Sequence, residues 1–213
     1  MGLLFSCNSN DQVVKDEKEF KYLVDEFADI KIMRYQIPEW ENLTLKQKEY
    51  LYYLGEAAKC GRAILADQKF KYNITVRKTN EAILNSYNGD RSTENFQNFL
   101  TYAKRVFFSN GIHHHYAADK FVPGFTPEFF KKALESVDAA KLPLAEGETL
   151  DALCNEVFPV IFDAKVMAKR VNQADGEDLV LTSASNYYDN VNQAEAEAFY
   201  GKMKNPNDTM PVM

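Results

Sequence analysis

Apolar residues at three- and four-residue spacing run through most of this chain. From Asp11 to about Ala28, Phe20, Leu23, Val24 and Phe27 recur in that way among charged neighbours, which predicts a surface helix. From Asp29 to Ile37 the pattern changes to alternation, with Ile30 and Ile32 between charged residues, and it stops at Pro38. That predicts a short strand or extended segment. Thr44 is placed to cap a long helix, along which Leu51, Leu54, Ala58, Gly61 and Leu65 share one face. A second helix is expected from about Ile74 to Tyr87, closed by Asn88-Gly89.

A third helix starts near Ser92, with Glu94 in its first turn. Phe96, Phe99, Leu100, Ala103, Val106 and Phe107 form its stripe, and Asn110 or Gly111 supplies the left-handed residue that ends it. Residues 112–125 read as irregular. Thr126-Pro127-Glu128 then combines a cap, a pre-set φ and an acid at a helix start, with Phe129, Phe130, Ala133, Leu134 and Val137 as the buried face. Another helix follows Thr149 through Leu150, Leu153, Cys154 and Val157. Leu179-Val180-Leu181 reads as a short strand. Asn192 opens a last helix with Ala196, Phe199 and Tyr200 on its apolar side, ended by Asn205-Pro206-Asn207-Asp208. The fold class is therefore mainly α, a multi-helix lobe with at most a few short strands. Residues 11–213 are expected to form one helical domain behind a separate start at 1–10.

Composition narrows the function more than the fold. Net charge is −6, from 25 Lys and Arg against 31 Asp and Glu, and the bases come in scattered pairs such as Lys131-Lys132. Phosphate neutralisation needs a basic stripe, so nucleic acid is not an expected partner. Aromatics make up 13%, which suits a packed interior and argues against global disorder. No stretch approaches the ~20 apolar residues of a membrane-spanning helix. Cys7, Cys60 and Cys154 are odd in number with no C-x-x-C spacing, so neither a disulfide framework nor a thiolate zinc site is signalled. Cys60 and Cys154 are expected to be buried free thiols.

The start Met1-Gly2-Leu3-Leu4-Phe5-Ser6-Cys7 admits three readings. It resembles the end of a bacterial lipoprotein signal with Cys7 as the lipidated residue, it matches a myristoylation pattern, or it is a disordered start. A membrane contact is expected only through such an anchor. The first reading implies a periplasmic or lipid-anchored protein, and otherwise the chain is expected in the cytoplasm.

Candidate chemistry centres on one run. All three histidines are consecutive, His113-His114-His115, and Tyr116 follows. Any imidazole chemistry must come from this spot. Adjacent side chains do not converge on one ion, although His113 and His115 could share a face of an extended segment. An acid–base role would need an oriented nucleophile, and neither G-x-S-x-G nor a reactive-cysteine motif is present. The residue types fit a loop that lines a ligand cleft or one that makes structural hydrogen bonds. The acidic segment Asn172-Gln173-Ala174-Asp175-Gly176-Glu177-Asp178 reads as a solvated turn, with a cation or amine site as the alternative. Tyr52-Tyr53 and Tyr187-Tyr188 read as half-buried packing.

Several separated strings resemble one family. Arg105-Val106-Phe107-Phe108-Ser109-Asn110-Gly111-Ile112-His113-His114-His115-Tyr116 and Lys120-Phe121-Val122-Pro123 are similar to the N-terminal part of bacterial dipeptidyl peptidase III. So are Arg34-Tyr35-Gln36-Ile37-Pro38, Gly61-Arg62 with Asp67-Gln68, and Asn172 to Leu179, all in the same order. The resemblance runs from about Phe27 to Pro211. It implies a two-lobed zinc exopeptidase that releases dipeptides from the N-termini of short peptides.

In that family zinc is held in the upper lobe by an H-E-x-x-G-H helix and a downstream glutamate. The part matched here belongs to the lower lobe, the opposite wall of the peptide cleft. Tyr116 then corresponds to an aromatic that contacts peptide, with Asn110, Gly111, His114 and His115 as neighbouring cleft residues. H-E-x-x-G-H does not occur in these 213 residues. The expectation is thus a chain without zinc or catalytic residues, inactive alone, whose partners are short peptides and a zinc-bearing C-terminal portion of the enzyme. Apolar surface should lie open where that portion docks. The alternative is a stand-alone helical peptide-binding or scaffold domain.

Overall fold

A computed structural model describes residues 20–204. The chain divides into two compact units, parting after Trp40.

In the first unit, strands β1 (Leu23–Phe27) and β2 (Ile30–Met33) pair antiparallel, with Phe27 opposite Ile30 and Glu26 opposite Lys31. Ala28 takes φ 50° in the turn between them. The alternation read at 29–37 is therefore a strand, but the helix expected to reach Ala28 is not formed over its described part. Residues 11–19 lie outside the described chain. The spacing of Phe20, Leu23, Val24 and Phe27 fits a helix as well as a strand, because a bulge between Leu23 and Asp25 breaks the period of two. Cross-strand pairing decides between them. Arg34 closes the hairpin, its guanidinium 4.6 Å from the Phe20 ring centroid and its Nε donating to the Lys21 carbonyl at 2.8 Å.

The described part of the second unit is built on helices joined by irregular segments: α1 (Leu45–Cys60), α2 (Arg62–Lys69), α3 (Asn73–Ser86), α4 (Glu94–Ser109), α5 (Pro127–Glu135), α6 (Leu150–Phe162), α7 (Leu179–Thr182) and α8 (Gln193–Met203). The described residues are mainly α with two short strands, as the apolar spacing expects. Caps account for most boundaries. Thr44, Thr93, Thr126 and Thr149 each accept the N–H three residues on, and Asn192 does the same at α8. Thr44 with Gln47 and Asn192 with Glu195 complete capping boxes.

The core lies among α3 to α6. Phe99 and Phe130 are fully buried, with Phe125 packed edge-on to Phe99 at 5.5 Å and Phe162 edge-on to Phe130 at 5.9 Å. Such edge-to-face contacts add to the burial of large apolar area.

Several expectations fail in informative ways. The long helix from Thr44 is broken at Gly61, whose N–H reaches back three residues to the Ala58 carbonyl at 3.4 Å, a tighter turn than the α-helical one. Its predicted buried face is open: Leu51, Leu54 and Leu65 are all exposed, and α1 buries nothing. Cys60 is exposed too, whereas Cys154 is buried as a free thiol. Tyr52, Tyr53, Tyr187 and Tyr188 are exposed rather than half-buried. Leu179-Val180-Leu181 is one helical turn and not a strand. The Asp178 carboxylate accepts the N–H groups of Val180 and Leu181, which fixes a helix start that the apolar triplet does not announce.

Candidate functional site

The histidine run follows the C-terminus of α4, and each step of the chain there has a physical cause. Asn110 adopts the left-handed conformation (φ 51°, ψ 47°), and its N–H bonds to the Val106 carbonyl. Gly111 follows at φ 149°, a region that disfavours side chains. A Cβ there would meet the Asn73 amide at 2.3 Å, so backbone and side chain touch as closely as a glycine allows. Asn73 is almost wholly buried. Its Nδ2 donates to the Ala66 carbonyl at 3.0 Å and its Oδ1 accepts the Ile112 N–H at 3.1 Å. One amide thereby ties α2 and α3 to the exit of α4. Lys69 adds a cation at the negative end of α4, donating to the Ser109 carbonyl at 2.7 Å. Burial, and then the nearby Arg170, lowers the Lys69 pKa.

The three imidazoles do different things. His113 is buried, and its Nε2 lies 2.8 Å from the Met167 carbonyl. A carbonyl can only accept, so Nε2 carries the proton and Nδ1 is the bare nitrogen, buried without a hydrogen-bond partner. Burial, and then the charges of Lys120 and Arg170, depress its pKa to about 4 against the Met167 bond, which raises it. His113 is thus neutral at pH 7 and holds two loops together.

His114 turns inward on its own loop, its Nδ1 accepting the N–H groups of Tyr116 (3.2 Å) and Ala117 (3.0 Å). Its backbone N–H bonds to the Asp119 carbonyl at 2.7 Å. His115 stacks on His114 at 4.4 Å and meets Phe108 edge-on at 5.1 Å. Tyr116 leans on His115, centroids 4.6 Å apart, yet remains 85% exposed.

The loop is anchored on its far side as well. Lys120 donates to the carbonyls of Val160 (3.2 Å), Val166 (2.6 Å) and Asp163 at the end of α6, and burial there lowers its pKa. Backbone bonds join Lys120 to Ala168, Arg170 to Ala118, and then Ala184 to Lys169 and Ser185 to Arg170. Lys169 and Asp119 form an ion pair across the same strip. Ala118 (φ 61°) and Met167 (φ 47°) sit in the left-handed region without being glycine. Such conformations persist only where surrounding contacts over-determine them.

Of the residues singled out from the sequence, the structure brings Asn110, Gly111, His114, His115 and Tyr116 into one continuous element. Gly111 is buried, Asn110, His114 and His115 are half-buried, and Tyr116 alone is open to solvent. Asn73, Lys69, Lys120 and Met167 hold that element and were not singled out. Of these, Lys120 belongs to the segment Lys120-Phe121-Val122-Pro123, whereas a lone Asn at a helix start carries no signal. The segment 172–178 is an ordered turn. The Asn172 side chain bridges Ala174 N and Thr182 Oγ1, and Asp178 caps α7. Hydrogen bonds from Leu181 and Gln193 hold the Asp178 carboxyl below its usual range. Cys7 lies outside the described residues.

These residues do not fit zinc. His113 spends Nε2 on a carbonyl, and His114 spends Nδ1 on two backbone N–H groups. No group of three or more His, Cys, Asp or Glu side chains gathers among the described residues. What the arrangement offers is a loop hydrogen-bonded on both sides that presents one exposed aromatic ring with a hydroxyl. No helix among the described residues is long and apolar enough to cross a membrane. No protein-family model matches the sequence, and neither does any curated protein.

Proposed function

We propose that this chain forms part of one wall of a peptide cleft, as the N-terminal, lower-lobe portion of a dipeptidyl peptidase III-like zinc exopeptidase. Zinc and the water-activating residues belong to another portion of that enzyme, and this chain alone hydrolyses nothing. The observation that carries the reading is Tyr116. It is the aromatic that the family resemblance sets against bound peptide, and it stands 85% exposed on a loop anchored at both ends. Its role is to hold peptide, not to react with it. The open apolar residues of α1 and α2, Leu51, Leu54 and Leu65, agree with a surface that a further portion covers.

The DNA beyond the codon for Met213 tests the enzyme reading. An H-E-x-x-G-H segment is expected in the same frame or an adjacent gene, and its absence from both removes that reading. Peptide titration tests the cleft wall. Short peptides should bind the chain, and Tyr116→Ala should weaken binding about tenfold, as loss of an aromatic anchor does.

A second reading rests on the same exposed ring: a stand-alone helical domain that binds peptides without chemistry. It is the one left standing if peptides bind through Tyr116 and no zinc-peptidase segment is found.

A further inference from the structure

A different pocket lies between α7, residues 183–188 and α8, with a volume of about 300 Å³. Its walls include Leu179, Ala196, Tyr187, Tyr188, Tyr200 and Glu197. The frame around it is built from a few polar contacts. The Asp178 carboxylate accepts the N–H groups of Val180 and Leu181 at the start of α7 and that of Gln193 at the start of α8. Gln193 then bridges the two, its Oε1 accepting the Leu179 N–H at 2.8 Å and its Nε2 donating to Glu197 at 2.7 Å. The Tyr200 hydroxyl beside Tyr188 raises the Tyr188 pKa. The walls are therefore held in place while the three tyrosines stay open to solvent.

Glu197 is the one charged residue that lines this pocket, and the charge of the segment that forms it is one-sided. Residues 171–200 contain six carboxylates, Asp175, Glu177, Asp178, Asp189, Glu195 and Glu197, and no Lys or Arg. That thirty-residue stretch alone accounts for a charge equal to the net −6 of the whole chain. The flanking bases, Arg170 and Lys202, do not line the pocket. An anion would find no cation in the walls and one carboxylate against it. A neutral apolar group would use the walls but gain nothing from the field.

We propose that this pocket binds an organic cation with an apolar body, an alkylammonium group, with the tyrosine rings and the Glu197 carboxylate as its recognition elements. Aromatic faces attract such cations through the ring quadrupole, and a quaternary or alkylated ammonium sheds water more cheaply than a metal ion. The carboxylate adds a charge that a purely apolar pocket lacks. The inference does not depend on the peptidase reading, because none of its residues belongs to the histidine loop.

The test uses the full chain and a matched pair of probes. Choline is the cation, and 3,3-dimethylbutan-1-ol is its neutral isostere, with carbon in place of the charged nitrogen. Binding is measured by ligand-observed NMR and titration calorimetry on the wild type, Glu197→Gln and Tyr200→Leu. Choline should bind at least about tenfold tighter than the isostere, and both variants should shrink that ratio. Equal binding of the two probes overturns the proposal in favour of a plain apolar pocket. Choline binding unchanged in both variants, or undetectable in the wild type, overturns it as well. Glu197 is exposed, so Glu197→Gln remains decisive if Tyr200→Leu fails to fold.

Discussion

Helices α1 and α4 begin alike and end in opposite circumstances. Each has sixteen residues, and each follows a threonine whose hydroxyl accepts the third N–H of the helix at 3.4 Å. The start of α1 is the better one, since Gln47 returns a bond to Thr44 N. Yet α4 buries Phe96, Phe99, Tyr102, Ala103 and Val106, and α1 buries no residue at all. The difference lies in how the apolar residues are distributed. In α4 they recur every three or four positions and make one stripe, which α3 and the Phe125–Phe130 region cover. In α1 the stripe of Leu51, Leu54 and Ala58 is joined by Tyr50, Tyr52 and Tyr53, so at ~100° per residue the large side chains reach around the helix and no single neighbour covers them. Local signals decide that a helix forms. Whether it becomes core depends on a stripe that one neighbour can cover.

Truncation in the two helices should therefore differ by several kcal/mol. Phe99→Ala removes a fully buried ring from the centre of the aromatic cluster and is expected to cost about 3–5 kcal/mol. Leu54→Ala, at an exposed position of α1, should change the unfolding free energy by less than about 0.5 kcal/mol. Denaturant titration of both variants checks this. A large loss for Leu54→Ala would mean that α1 is covered in solution, by a second copy or by another part of the protein.

The exit of α4 gives the next largest effect, and it is pH-dependent. His113 is held neutral, its pKa lowered from near 6.5 to about 4. A lowered folded value means the unfolded chain binds the proton more tightly, so stability rises with pH through this window. The contribution is fully present above about pH 6.5 and is lost as the pH falls through about 4, up to roughly 3 kcal/mol in total. His113→Gln keeps an amide for the Met167 carbonyl but cannot be protonated. Its unfolding free energy should fall less steeply than that of the wild type between pH 6.5 and 4. Parallel slopes would show that His113 does not titrate in this way. Asn73→Ala belongs to the same region and should cost about 2 kcal/mol by leaving the buried Ile112 N–H unpaired, while the Ala66 carbonyl loses one of its two donors and keeps the Phe70 N–H. No such orphan arises in α1.

The same contrast governs how much of the molecule could be read from its sequence. Start and stop signals are short-range, so Ser92 with Glu94, Thr126-Pro127-Glu128, Thr149 and Asn192 announce α4, α5, α6 and α8, and the pair Asn110-Gly111 marks where α4 stops. Strand β1 was hidden because its apolar spacing serves a helix equally well, and only pairing with Ile30–Met33 selects the strand. Helical turn α7 was hidden because Asp178, not the apolar triplet after it, sets the conformation. In the histidine loop the residue types were visible and their partners were not. His113 bonds to a carbonyl 54 residues away, and Asn73 bonds to an N–H 39 residues away. Neither distance leaves a local pattern. The exposure of Tyr116 follows from those distant anchors.

The smallest expected effect separates local from global stability most cleanly. Thr93→Ala and Thr44→Ala remove the same hydroxyl from the same cap position of equally long helices. A lost cap costs about 1 kcal/mol of helix stability in either place. In α4 that loss enters the global balance, because unfolding the protein requires pulling Phe96 and Phe99 out of the core, so Thr93→Ala should lower the unfolding free energy by about that amount. In α1 no buried side chain couples the first turns to the core, and the helix can open without the rest. Thr44→Ala should leave the global unfolding midpoint nearly unchanged while amide exchange across 45–52 speeds up severalfold. Hydrogen exchange on both variants, beside denaturant unfolding, reads the two quantities separately. If Thr44→Ala instead shifted the global midpoint as far as Thr93→Ala, α1 would have to be packed into the cooperative unit, and the contrast between the helices would vanish.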